Sequence, residues 1–308
     1  MWLVFSFVSA TIVGIRDFFK KKVLQGNAIL LVLCLVTVFS TFLFLPFIVI
    51  SRCTDWLDGS FFFVPAGTWQ LHLCSIVKCM LLIGCWLCSY DGIKHLPLTV
   101  SGIIAAFGPV ETVLAAILIY GESLNAIQWA GVLVSTVSLV AVCYSGKSDS
   151  SDFVCDRHFG LMLLSTVFSA AAALWDKFAM GRPEEGGLGL SVMFVQCWYN
   201  IYQALLLTMA LLYMYRRASK LETFRVPLPF VAGVFMVSLC EVAADLLYDA
   251  SLQLPGCLVS IMAMVRRGSV VVSFLFGVVI LRERNIRKKL FDLFLVLVGM
   301  LLLYFGSR

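Results

Sequence analysis

Charged and amide side chains lie within strongly apolar stretches of this 308-residue sequence. Ionisable residues inside a membrane span are costly, and they usually pair with one another or mark the path of a solute or ion. A set of ten polar residues therefore predicts a substrate-binding or coupling site: Lys78, Glu111, Gln196, Tyr199, Asn200, Gln203, Glu241, Asp245, Arg266 and Arg267.

Two acids and two bases of this set lie close together in the second half of the sequence. Glu241 and Asp245 are four residues apart and therefore share one face of a helix. Arg266 and Arg267 are adjacent, so they point about 100° apart and address different neighbours. One interpretation is an ion pair of Glu241 or Asp245 with Arg266 that locks helices together. The other is that one arginine pairs with the acids while the other meets an anionic or zwitterionic solute.

The first half contributes Lys78 and Glu111, for which an ion pair is the simplest structural interpretation. Glu111, Glu241 and Asp245 are also the hypothesised proton carriers, because burial favours the neutral form of a carboxyl group.

Amide and phenol groups form a third pattern. Gln196, Tyr199, Asn200 and Gln203 follow the spacing i, i+3, i+4 and i+7, which places them on one face of a helix. Such a face suits a polar or zwitterionic solute better than a lipid contact.

The composition indicates an integral membrane protein. Hydrophobic residues make up 61% of the chain and charged residues 13%, with a mean hydropathy of +0.98. A soluble chain is only about 45–50% apolar and about 25% charged. The net charge of +5 is spread over short links, so it does not form the basic face of a nucleic-acid-binding protein.

Neither a metal nor a cofactor is predicted. The chain has three histidines and eleven cysteines, and Cys85 and Cys88 are interpreted as packing residues within a span. A phosphate-binding loop of the Walker type is absent from the sequence, which argues against ATP-driven transport by this chain.

Apolar stretches of about 20 residues, the length needed to cross a bilayer, predict ten transmembrane helices. They fall near residues 2–19, 28–50, 70–90, 96–119, 127–144, 159–180, 190–215, 228–248, 256–281 and 290–306.

The two halves of the chain resemble each other. Arg16-Asp17-Phe18-Phe19 is similar to Trp175-Asp176-Lys177-Phe178, and the stretches 90–97 and 248–255 share Tyr, Asp, Leu and Pro in register. The predicted organisation is a five-helix repeat at 1–146, a linker at 147–157 and a second repeat at 158–308. Since five is odd, the repeats cross the bilayer in opposite senses, the plan of many secondary transporters.

Several motifs also resemble the drug/metabolite transporter superfamily, EamA-like type. The first copy of its helix 4–5 signature is similar to Gly108-Pro109, to 115–125 and to 128–131; the second is similar to 276–277, 282–285 and 299–300. The resemblance implies a ten-helix transporter, not an enzyme, with both termini in the cytoplasm. The odd-numbered links carry most of the Lys and Arg, and the positive-inside rule places those links, rather than the termini, in the cytoplasm.

The predicted function is secondary transport by alternating access, in the plasma membrane (the inner membrane of a bacterium). The substrate is a small polar or amphipathic metabolite, or a drug that is exported, and a proton is the hypothesised coupling ion. The lipid bilayer is the other partner, and the oligomeric state is not predicted. The alternatives are a membrane-embedded enzyme that modifies lipids or isoprenoids, and a receptor or assembly subunit without transport. Neither needs an internal duplication.

Overall fold

A computed structural model describes the larger part of the chain. The described residues are 2–105, 107–108, 110–111, 125–127, 129–131, 133–134, 137, 157–180, 188–217, 228–253, 268–280 and 286–306. Within these ranges the protein is helical and contains no β-strand.

Seven of the described helices lie on predicted spans, with ends that differ by at most five residues. The helices assigned within the described ranges are α1 (Trp2–Leu24), α2 (Ile29–Cys53), α3 (Trp69–His95), α4 (Leu98–Ala105), α5 (Arg157–Met180), α6 (Val192–Arg217), α7 (Leu228–Gln253), α8 (Ser269–Val279) and α9 (Ile286–Gly306). Parts of the predicted spans 96–119, 127–144 and 256–281 lie outside the described residues.

Among the described residues, four helical segments are long and apolar enough to cross a bilayer: Ile29–Cys53, Trp69–His95, Arg157–Met180 and Pro229–Tyr248. Lipid tails offer no hydrogen-bond partners, and a helix pairs its backbone N–H and C=O groups internally. The prediction of an all-helical, multi-pass membrane protein is thus confirmed, whereas ten helices in two inverted repeats stay a prediction.

Proline 97 separates α3 from α4. The residue before a proline avoids the helical conformation, and Leu96 is accordingly extended, with φ −86° and ψ 155°. The chain therefore ends α3 at His95, which places Asp91 and His95 in its last two turns.

The helices pair across the predicted linker in a reciprocal way. The first helix before the linker, α1, packs along α7, the third helix after it, while α3 packs along α5, the first. The second helices of the two sides, α2 and α6, contact each other, as do α4 and α8. The core of the bundle is therefore built from contacts between the two sides of the chain.

Glycines let the helices approach closely at two of these contacts, as small residues commonly do in membrane bundles. A Cβ atom on Gly92 of α3 would lie 2.7 Å from Sδ and 2.8 Å from Cβ of Met162 on α5. A Cβ atom on Gly233 of α7 would lie 2.8 Å from Cγ2 of Val23 on α1.

Candidate functional site

The polar face of α6 points into the bundle. The exposed fractions of Gln196, Tyr199, Asn200 and Gln203 are 5%, 3%, 2% and 0%. The side-chain amide of Asn200 donates to the backbone oxygen of Gln196 (2.8 Å), and the Thr41 hydroxyl of α2 donates to the backbone oxygen of Asn200 (3.1 Å). This part of the face is consequently tied to the helix backbone.

Gln203 differs from its neighbours. Neither its amide nitrogen nor its amide oxygen has a hydrogen-bond partner within the described part of the chain. A buried polar group that makes no hydrogen bond costs about 1–3 kcal/mol, so this amide is a place where a polar ligand would add stability.

Lys78 lies beside the α6 face. Its Nζ is 2.8 Å from Oδ1 of Asp176 on α5 and 4.9 Å from the centroid of the Tyr199 ring. The sequence suggested Glu111 as its partner. The structure instead places Asp176 beside the lysine, because α3 packs along α5. We call Lys78, Asp176 and Tyr199 the Lys78 site.

Glu111 contacts α5 at a different place. Its Oε1 accepts a hydrogen bond of 2.8 Å from the hydroxyl of Thr166. The predicted carboxyl is therefore directed towards another helix, where its neighbour is a hydroxyl group.

Glu241 forms part of a charge cluster between α1 and α7. Nη1 of Arg16 donates to its Oε1 (2.8 Å), Nη2 of Arg16 is 2.9 Å from Oδ1 of Asp17, and Nζ of Lys20 is 3.9 Å from the same oxygen. The side chains of these four residues are between 4% and 20% exposed. We call Arg16, Asp17, Lys20 and Glu241 the α1–α7 charge cluster. Asp245, one turn further along α7, also interacts electrostatically with Arg16.

The charge cluster gives Glu241 a partner that the sequence did not suggest. Arg266 was the suggested partner, and that pairing stays a prediction. In the structure Arg16 holds Glu241, while Arg266 and Arg267 lie outside the described residues. Helix α1 runs to Leu24 rather than to residue 19, which carries Arg16 further from the helix end and into the bundle.

A cluster of aromatic side chains, which the sequence did not predict, packs on the face of α6 near the start of α3. His72 is joined to the Tyr202 hydroxyl by a hydrogen bond of 2.8 Å, and its ring meets that of Trp198 edge-on at 4.6 Å. The nearby Trp175 indole donates to the backbone oxygen of Cys74 (3.0 Å), which fixes the end of α5 against α3.

The repeated motif contained a signal for the missed charges. Asp17 and Asp176 occupy matching places in the similar stretches 16–19 and 175–178, and each forms an ion pair within the bundle. The recurrence of an aspartate in two similar segments therefore indicated a buried ion pair. Its distance from the predicted end of the helix did not.

Comparison with protein families found a match in the first half of the chain. The model of the EamA-like transporter family matches residues 1–144. This segment, a little under half of the chain, is thus similar to the members of that family. This family is part of the drug/metabolite transporter superfamily, so the resemblance drawn from the motifs is confirmed.

Members of the EamA family are transporters rather than enzymes, and their partners are small-molecule substrates. A solved crystal structure, described only as that of a protein, has the same fold over 98% of this chain and 94% of its own, with a TM-score of 0.58 and 14% identity. The fold thus extends beyond the EamA-like segment into the second half. No curated protein matches the chain.

Proposed function

We propose that this protein is a secondary transporter that moves a small polar or amphipathic molecule, a metabolite or a drug, by alternating access. The substrate lies against the polar face of α6, with Gln203 as its central hydrogen-bonding group and Lys78 beside it. The single observation that carries this proposal is the fully buried Gln203 amide without a hydrogen-bond partner in the described ranges.

The chemistry of the face limits the substrate class. An amide both donates and accepts hydrogen bonds, Lys78 supplies a positive charge, and the Tyr199 ring forms an apolar wall with a polar tip. A solute with hydrogen-bonding groups and a carboxylate or similar anion would satisfy all three. Arg266 and Arg267 are proposed to add further positive charge to this site.

Reciprocal helix pairing supports two inverted halves of five helices each. Where two similar units are related by a two-fold axis, contacts between them occur in matched pairs. If the first helix of one unit contacts the third helix of the other, then the third helix of the one contacts the first helix of the other. The pairs α1–α7 and α3–α5 follow this rule. Alternating access then consists of rocking one half against the other around a site near the midplane.

The ion pairs between the halves are the proposed coupling elements. Glu241 is held by Arg16, and proton coupling would require this ion pair to break during the transport cycle. A rocking motion that separates α1 from α7 would permit this exchange, with Asp245 and Glu111 proposed as the other acids on the proton's route.

Transport into proteoliposomes tests the substrate site. A panel of metabolites is first screened for compounds that raise the thermal unfolding temperature of the purified protein. Gln203→Leu should then weaken binding and raise the KM by about tenfold, since a hydrogen bond to a buried amide contributes up to about 1.5 kcal/mol. Gln70→Leu, at an exposed position near the start of α3, is the matched control. An unchanged KM in a folded Gln203→Leu protein would contradict the proposal.

A pH gradient tests the coupling. Uptake by the native protein should depend on the gradient, and Glu241→Gln should lose that dependence while retaining downhill exchange. If the variant keeps full dependence on the gradient, Glu241 is not the coupling group.

A further inference from the structure

Two of the three histidines come together with an aspartate where α3 meets α5. Asp91 and His95 are four residues apart near the end of α3, and His158 lies in the first turn of α5. Each side chain offers one ligand atom, and these atoms all lie within 4.8 Å of one another. His158 lies across the linker, 63 positions from His95 and 67 from Asp91, so the sequence gave no sign that the three residues form a group.

The contacts between the three side chains resemble those of a metal site. Nδ1 of His158 contacts Oδ2 of Asp91, and the rings of His95 and His158 stack with centroids 3.8 Å apart. Nδ1 of His95 is 3.0 Å from the backbone oxygen of Asp91. Because a carbonyl oxygen can only accept, Nδ1 donates, and the lone pair of Nε2 is left for a ligand. Metal-binding histidines commonly donate their other N–H to a carbonyl in this way.

We propose that Asp91, His95 and His158 bind one divalent transition-metal ion, with Zn²⁺ the best fit. Imidazole nitrogens and a carboxylate oxygen bind Zn²⁺ at about 2.0–2.2 Å, so two atoms on the same ion are at most about 4.4 Å apart. The three ligand atoms lie within 4.8 Å of one another, close to that limit. Three protein ligands leave the fourth tetrahedral position to water. Their side chains are between 20% and 39% exposed, so an ion can reach them from solution.

An ordinary ion pair explains only part of this geometry. Contact of His158 with Asp91 accounts for two of the three residues. His95 then contributes only its stacking on His158 and its hydrogen bond to the backbone of Asp91. Binding of one cation by two neutral imidazoles and a carboxylate uses all three groups.

The site would join the first half of the protein to the second. A bound ion stabilises the arrangement in which the end of α3 touches the start of α5. If the halves rock against each other as proposed above, Zn²⁺ would therefore slow transport. This consequence depends on the proposed function, whereas metal binding itself does not.

Metal titration of the full chain tests the proposal. The protein is purified in detergent, freed of any affinity tag and of metal, and titrated with Co²⁺ to observe its visible absorption and with Zn²⁺ in competition. We expect one ion per chain. Removal of a supporting hydrogen bond at a metal site costs about 10- to 100-fold in affinity, and loss of a ligand in His158→Gln, His95→Gln or Asp91→Asn should cost at least as much.

His72→Gln, which changes the histidine outside the group, is the control and should bind like the native protein. Unfolding temperatures without metal identify folded variants, and His95→Gln, at the most exposed of the three positions, provides the comparison if the others fail to fold. Absence of binding by the native chain would overturn the proposal. So would native affinity in folded ligand variants, or an equal loss in His72→Gln. If the native protein binds no ion and the three ligand variants unfold at lower temperatures than it does, the group is an ion pair only, and the proposal is wrong.

Discussion

The α1–α7 charge cluster and the Lys78 site join the two halves of the protein at corresponding helix pairs, but with opposite charge placement. In the cluster, α1 supplies the base, Arg16, and α7 the acid, Glu241; at the Lys78 site, α5 supplies the acid, Asp176, and α3 the base. The cluster is the more closed of the two: the Glu241 side chain is 7% exposed and that of Asp176 is 29% exposed.

This difference indicates a division of roles. Four charges of the cluster compensate one another, so a substrate would gain little by entering among them. Lys78 faces an acid that water can reach and a tyrosine on the polar face of α6. We infer that the cluster holds the halves together and that the Lys78 site is open to a ligand.

Removal of Arg16 should give the largest effect. Arg16→Met leaves Glu241 and Asp17 buried with Lys20 as the remaining base of the cluster, and removing one partner of a buried pair costs about 3–5 kcal/mol. The double variant Arg16→Met/Glu241→Leu should recover part of this loss, because it removes the uncompensated acid. Chemical unfolding in detergent measures both. A loss below about 1 kcal/mol in Arg16→Met would show that the cluster does not hold the halves together.

Removal of Lys78 should affect transport more than stability. Lys78→Met leaves Asp176 without its base, but this carboxylate can be hydrated, so we expect a loss of about 1–2 kcal/mol in unfolding free energy. Transport should fall strongly, since the positive charge beside Tyr199 is gone. The proposed division of roles is wrong if Lys78→Met destabilises the protein as much as Arg16→Met does. It is also wrong if the folded Lys78→Met protein transports normally.

The sequence predicted which side chains turn inward better than it predicted their partners. The spacing of Gln196, Tyr199, Asn200 and Gln203 defined a face, and all four are buried. The position of a charge along its own helix does not reveal which other helix lies opposite. The partner of Lys78 is nearly a hundred residues away, and it is determined by the packing of α3 on α5.

An error in a helix end explains why Arg16 was missed. At 1.5 Å per residue, the eight residues from Arg16 to Leu24 place the guanidinium about 12 Å inside the end of α1. A prediction that ended the helix at residue 19 left Arg16 within its last turn, at the membrane surface. Polar residues such as Lys20 and Lys21 continue the helix because they too find partners in the bundle, at Asp17 and at the backbone oxygen of Lys94.

Added methyl groups compare the packing of the same two helix pairs. Gly92→Ala would bring the new Cβ atom against Sδ and Cβ of Met162. The Cβ atom of Met162 is bonded directly to the α5 backbone, so it cannot rotate out of the way. We expect a loss of about 1–3 kcal/mol, typical of overpacking. Gly233→Ala meets one methyl group of Val23 and should cost less.

Gly160→Ala is the control for helix propensity. Apart from the backbone of its own helix and its two neighbours in the chain, no atom of the described residues lies within 4 Å of the added carbon, and Ala favours a helix by about 1 kcal/mol over Gly. Unfolding free energies of the three variants give the comparison. Equal effects of Gly92→Ala and Gly160→Ala would mean that α3 and α5 are not in close contact.

The smallest effect should come from two tyrosines that face the lysines of the two regions. Nζ of Lys20 is 4.3 Å from the ring centroid of Tyr90, and Nζ of Lys78 is 4.9 Å from that of Tyr199. The Tyr90 hydroxyl is buried and has no hydrogen-bond partner among the described residues. Tyr90→Phe keeps the ring under the lysine and removes an unsatisfied polar group, so stability should stay the same or rise by about 1 kcal/mol.

Tyr199→Phe is the matched variant in the Lys78 site and should differ from Tyr90→Phe in transport. If the Tyr199 hydroxyl contacts the substrate, its removal raises the KM. The bound substrate then lacks one hydrogen bond, whereas the unbound substrate still makes that bond to water. Tyr90 lies on the side assigned to holding the halves together, so Tyr90→Phe should leave the KM unchanged. A raised KM in Tyr90→Phe and an unchanged one in Tyr199→Phe would exchange the two roles, and the α1–α7 charge cluster would then be the region that meets the substrate.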